Sequence, residues 1–162
     1  MEFSYSGEQQ ELRQLAAQIF SDRVTDEFRR DFSRSGEPHD RQLWATLAEA
    51  GLLGIAIAEE QGGSGLGLTE LCLLLEEQGR SLAPVPLLAT LVLGALPVQK
   101  FGSAAQRAAL LPRVVSGELL LTAALEETGG GEPRRPAAKA TPQGEGWRLK
   151  GAKAGVPRGA QP

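Results

Sequence analysis

Few side chains in this sequence combine the type and the spacing that chemistry needs. Glu59 and Glu60 are adjacent carboxylates ahead of a glycine-rich run, Gly62-Gly63-Ser64-Gly65-Leu66-Gly67. Paired acids can share proton transfer, but neighbours on a loop point in different directions, so both read as solvated carboxylates. As a phosphate cradle the glycine run lacks the lysine of a P-loop and the strand-turn-helix spacing of a dinucleotide fingerprint, which leaves a structural turn. His39, between Pro38 and Asp40, has no Ser or Cys in a nucleophile setting and reads as a surface or helix-start residue. Cys72 stands among leucines, where a thiol behaves as a small hydrophobe, and reads as core. Glu126-Glu127-Thr128 running into Gly129-Gly130-Gly131 is different, because a strand end entering a glycine turn exposes main-chain N–H groups able to bind an anion. Two readings stay open there, a ligand contact and a plain turn.

The composition narrows the setting of these residues. The chain has 162 residues, enough for about one domain, with one Cys, one His and a net charge of −3. One Cys forms no internal disulfide, and one Cys with one His cannot supply a zinc site, so no metal residues are assigned. No apolar run is long enough to span a membrane, and the acidic first ten residues do not resemble a targeting peptide, which leads us to expect a cytoplasmic protein. Net acidity argues against nucleic acid as the main partner. The charge is uneven: residues 1–128 carry 10 basic and 18 acidic side chains, whereas residues 129–162 carry 7 basic and 2 acidic. That tail also holds 8 Gly and 5 Pro, too many for helix interiors, and ends abruptly, as a chain cut short would.

The elements that must position these residues read as helices up to Gly117. Ser6 and Gln9 form a capping box ahead of Leu12, Leu15, Ala16, Ile19 and Phe20. After a polar stretch rich in Arg and Asp, Asp40 caps a second helix with Leu43, Trp44, Leu47 and Ala48 on one face and Gly51 at its end. Thr69 opens a third, largely buried helix ending at Gly79. Pro86 starts a fourth, which Pro97 ends or kinks. Ser103 and Gln106 cap a fifth that Gly117 stops. Five or six helices are therefore expected in residues 7–117, with Leu15, Ile19, Leu43, Leu47, Leu71, Leu75, Leu88, Leu91 and Leu111 mostly buried. Residues 119–126 read as a strand whose unpaired edges would recruit other chains.

In their order these pieces resemble the N-terminal portion of an acyl-CoA dehydrogenase. The likeness rests on Gly51-Leu52-Leu53-Gly54-Ile55 leading to Glu59-Glu60-Gln61-Gly62-Gly63, then Glu76-Glu77-Gln78-Gly79-Arg80, Phe101-Gly102-Ser103, Leu111-Pro112 and Gly117-Glu118. It continues through Glu127 and Gly131 to Gly146-Trp147-Arg148-Leu149-Lys150-Gly151-Ala152-Lys153. Ser81-Leu82-Ala83-Pro84-Val85-Pro86 is similar to branches that take sterol side-chain or other bulky acyl-CoA substrates.

The resemblance implies a mainly α chain: an N-terminal helical domain over residues 1–118, then the first strands of a truncated β-barrel domain over 119–162. It implies an FAD flavoprotein of lipid metabolism that dehydrogenates an acyl-CoA thioester, passes electrons to an acceptor protein and forms homo- or hetero-oligomers. The family's glutamate base lies in a C-terminal bundle, so no residue here is assigned as catalytic. Leu125 and Gly131 match flavin-contact positions of the family. Glu126, Thr128, Gly130, Glu132 and Pro133 depart from its Thr-Glu-Pro-Gly-Ala-Gly-Ser-Asp run, and Gly155 and Pro157 stand where many members have a Trp and a Thr or Ser. An acid at 132 would face the cofactor's pyrophosphate, so FAD is expected to bind this chain weakly or not at all, and Glu132→Ser in a full-length context to strengthen its retention. Two other readings compete: a non-catalytic subunit that does not hold its own FAD, and a stand-alone helical interaction module.

Overall fold

The computed structural model describes residues 4–129, 132 and 134–159. The chain divides into two compact units, residues 1–121 and 122–162. In the first, α1 (Gly7–Arg23) begins at Ser6, whose hydroxyl accepts the Gln9 N–H while the Gln9 side chain returns to the Ser6 N–H. Ala16 and Phe20 bury one face of it. Asp40 caps α3 (Arg41–Glu49) by accepting from the Gln42 and Leu43 N–H groups, and Leu43, Trp44 and Leu47 enter the core. The Trp44 indole N–H reaches the Gly117 carbonyl at 3.0 Å, tying α3 to the end of α6 (Ala104–Val115), which Ser103 and Gln106 cap as a box.

Between α1 and α3 the polar stretch folds as a further helix, α2 (Asp26–Ser35), which the sequence pattern does not reveal. Thr25 caps it and Gly36, at φ +72°, ends it. It buries no residue; Phe28 and Phe32 stack at 5.6 Å as its only apolar pair, too narrow a stripe for periodicity to detect.

The next helix, α4 (Leu68–Ser81), packs against α1 and runs past the expected stop at Gly79. Its buried face is Leu71, Leu73, Leu74 and Glu77. Cys72 is exposed and Leu75 only partly buried, which corrects the core assignment of the thiol: in a run of five apolar residues the pattern does not say which lie outward. Glu77, 7% exposed, accepts from Arg13 at 2.7 Å, with Arg80 Nε at 3.4 Å, and so cross-links α4 to α1. The Gln78 amide donates to the Ala83 and Val85 carbonyls and holds the chain leaving α4.

Pro97 does not end the fourth predicted helix. A π-helical stretch, Leu88–Ala95, is followed without a break by α5 (Leu96–Phe101), and the proline stands where the wide turns give way to α-helical ones. The wide turns also change the phase of the buried face, to Ala89, Thr90, Leu91, Gly94 and Ala95, so Leu88 is 56% exposed rather than buried. Leu15 is likewise exposed, flanking the α1 stripe rather than lying on it, and Ile19 is half-buried.

No strand forms over residues 119–126, a further correction. Leu119, Leu120 and Leu121 are half-buried against the helical core, and the Leu119 N–H bonds to the Arg113 carbonyl at 2.9 Å. A strand exists only by pairing, and the ladder among the described residues joins β1 (Lys139–Gln143) to β2 (Gly146–Lys150). This antiparallel hairpin turns at Gly144 (φ +60°) and puts Ala140 opposite Leu149 and Pro142 opposite Trp147. The result is mainly α, a helical domain followed by the first strands of a β domain. No helix among the described residues is long and apolar enough to cross a membrane.

Candidate functional site

The glycine-rich turn is closed on itself. The Ser64, Gly65 and Leu66 N–H groups bond to the Gly54, Ile57 and Ile55 carbonyls at 2.8–2.9 Å. A Cβ at Gly63 would lie 2.1 Å from the Ile57 oxygen, so glycine is needed there for backbone contact. With those donors consumed, the turn offers no cradle. Glu59 and Glu60 are exposed. His39 is half-buried and meets Trp44 edge-on at 6.4 Å, more enclosed than a surface histidine. Among the described residues no group of three or more His, Cys, Asp or Glu could hold a metal.

In the second unit three segments converge on Glu127. Its Oε2 accepts the Ala137 N–H at 2.7 Å, and its Oε1 accepts the Ala138 N–H and the Lys153 ammonium, each at 2.9 Å. One residue earlier, the Glu126 carbonyl accepts the Ala154 N–H at 3.0 Å. Gly151 makes the approach possible, since a Cβ there would stand 2.5 Å from that of Ala138. The sequence reading missed Lys153 as the partner of Glu127; the signal was the Gly-x-Lys spacing, whose glycine admits Ala138 while its lysine brings the charge.

The Lys153 hydrogen bond, then those of the Ala138 and Ala137 amides, hold the Glu127 carboxyl down to about 2. Its pKa is depressed below the ordinary 4.5, so the stabilisation of this junction is complete above that value and is lost as pH falls through about 2. A carboxyl ¹³C titration should place Glu127 near pH 2, well below the ordinary 4.5. A midpoint in the ordinary carboxylate range would remove the clamp.

The description "Acyl-CoA dehydrogenase, N-terminal domain" matches residues 6–118, and the chain belongs to the acyl-CoA dehydrogenase family. It is 40% identical over 139 residues to acyl-CoA dehydrogenase FadE28 of Mycobacterium tuberculosis, covering 86% of this chain and 37% of that protein. Among solved structures, a variant of the Tcur3481-Tcur3483 steroid ACAD is 53% identical with a TM-score of 0.86, over 92% of this chain and 41% of that one. An acyl-CoA dehydrogenase complexed with FAD from Bacillus anthracis is 28% identical with a TM-score of 0.79, over 94% of this chain and 27% of that one. The chain thus spans about two fifths or less of the length of these relatives.

Leu125 is 53% exposed, in the irregular run ahead of Glu127. Gly131 lies outside the described residues. The acid that the sequence sets against the cofactor's pyrophosphate, Glu132, is paired within the chain. Glu127 turns its charge toward Lys153, and Glu132 is paired with Arg134 at 3.0 Å, with Arg135 at 4.0 Å. One acid stays out of place: Glu126 Oε2 lies 3.2 Å from where a Cβ on Gly155 would stand, although the side chain is exposed and can turn away.

Proposed function

We propose that this chain forms the N-terminal helical and early β part of an FAD-dependent acyl-CoA dehydrogenase acting on a bulky, steroid-linked acyl-CoA. The single observation that carries the reading is the likeness to the steroid ACAD, 53% identical over 92% of the chain. Bound flavin would supply the hydride acceptor for α,β-dehydrogenation. Main-chain groups at Leu125 and Gly131 would hold it, Glu127 and Lys153 would keep that strip in shape, and no glutamate of this chain serves as the base. The reading implies an electron-acceptor protein and a second subunit, like or unlike, in the cytoplasm.

Titrating FAD into the purified chain tests this. Saturable quenching of flavin fluorescence is expected with a Kd of roughly tens of micromolar or weaker, because the chain spans so little of its relatives. Acyl-CoA should reduce no electron acceptor in its presence. Absence of any saturable binding would overturn the flavin assignment, and stoichiometric binding at low micromolar protein would overturn the weak affinity.

Glu126 against Gly155 favours a second reading, in which the chain is a non-catalytic subunit that does not hold its own flavin. Glu126→Thr separates the two. A gain of about tenfold or more in FAD affinity, the weight of one charge-assisted contact, supports the second, and an unchanged affinity supports the first.

A further inference from the structure

We propose that Glu127 is the positioning residue of the 125–129 strip: bound to two other segments at once, it fixes the main chain of Leu125 and Glu126 toward a ligand that it does not touch. The proposal rests on the reading of this strip as a flavin contact. The side chain of Glu127 is 13% exposed and both of its oxygens are occupied, one by an amide and one by an amide and an ammonium. With three of its roughly four acceptor sites taken from within the chain and little of it exposed, this carboxylate is committed to holding the strip rather than to a cofactor or a substrate proton. Its neighbours differ: Leu125 and Glu126 present exposed side chains, and Leu125 enters none of the hydrogen bonds that bind Glu126 and Glu127 into place.

The bonds around Glu127 have an order that suits positioning. Ala137 and Ala138 hold it from the lead-in to β1, 10 and 11 residues along the chain. Lys153 and Ala154 hold the strip from the segment after β2. Gly151 against Ala138 joins those two supports to each other. Release of Glu127 therefore frees the lead-in to β1 and one side of the strip together, while the Glu126–Ala154 bond alone leaves the strip hinged. Glu127→Gln keeps one acceptor oxygen but turns an NH₂ toward a donor, so its effect is partial. Lys153→Met leaves both amide bonds and removes the ammonium together with its hydrogen bond.

The test is amide NMR on the ¹⁵N-labelled full chain, with FAD added to millimolar concentration. In the wild type FAD should shift the Leu125, Glu126 and Thr128 amides and leave those of Leu43 and Leu71 in place, and the Ala137 and Ala138 amides should exchange slowly. In Glu127→Ala those two amides should exchange at least about tenfold faster, and the FAD-induced shifts should fall at least about fivefold, with Glu127→Gln and Lys153→Met between. The helical unit reports its own integrity through Leu43 and Leu71. Should Glu127→Ala disorder its whole unit, the graded losses in Glu127→Gln and Lys153→Met decide the matter, and wild-type shifts in both overturn the proposal. Undiminished FAD shifts in Glu127→Ala also overturn it and leave the flavin reading standing. No FAD-induced shift in the wild type, with Ala137 and Ala138 still protected, removes the flavin reading and the proposal with it.

Discussion

Replacing Leu74 with aspartate is expected to unfold the helical domain. Leu74 is fully buried on the face that α4 turns inward. The change forfeits roughly 2–3 kcal/mol of apolar burial and places a carboxylate without a partner in the core, which costs several kcal/mol more. Domains of this size are stable by about 5–15 kcal/mol, so the sum consumes most or all of the margin. Far-UV circular dichroism should show the helical signal lost or the melting temperature sharply lowered. Cys72→Asp, two residues away on the exposed side of the same helix, should stay within about 0.5 kcal/mol of the wild type. A Leu74→Asp protein that melts as the wild type does would falsify the orientation of α4.

That contrast marks where the fold was legible. Caps were readable because they depend on one or two residues at fixed offsets: Ser6 with Gln9, Asp40, and Ser103 with Gln106 all cap as their types dictate. Faces were readable where apolar and polar residues alternate, as at Leu43, Trp44 and Leu47. They were not readable at Leu71–Leu75, where every position is apolar or a thiol, nor at Leu88, where π-helical turns replace the 3.6-residue period that the pattern assumes. The strand over 119–126 failed for another reason. A short apolar run fits a strand and a core-packed connector equally well, and only the presence of a ladder decides between them. The candidate site was half legible: Glu126–Glu127 could be singled out by the glycines beyond, but a partner 26 residues away, Lys153, is a fact of tertiary folding.

Asp40 should prove the most sensitive polar residue of the helical domain. It is 6% exposed, caps α3 through two amides, and meets Arg23 through both oxygens, at 2.6 and 3.3 Å. Asp40→Ala removes the cap, worth about 1 kcal/mol, and strips a half-buried guanidinium of its partner, worth roughly another 1–3 kcal/mol. A total of about 2–4 kcal/mol corresponds to a fall in Tm of the order of 10 °C. Asparagine caps helices as well as aspartate does, so Asp40→Asn isolates the charge. Burial pushes the Asp40 carboxyl up, but the Arg23 hydrogen bond and the Leu43 and Gln42 amides outweigh it, and the pKa falls below the ordinary 3.8. The charge therefore stabilises the fold fully above pH 3.8 and ceases to do so as pH falls through the lower folded-state value. The stability gap between wild type and Asp40→Asn should be constant near neutrality and close only in strong acid, where both side chains are uncharged. Urea titrations of the two proteins across that range measure the gap directly. No gap near neutrality would mean that the Arg23–Asp40 charge pair contributes nothing, and that the cap alone holds α3.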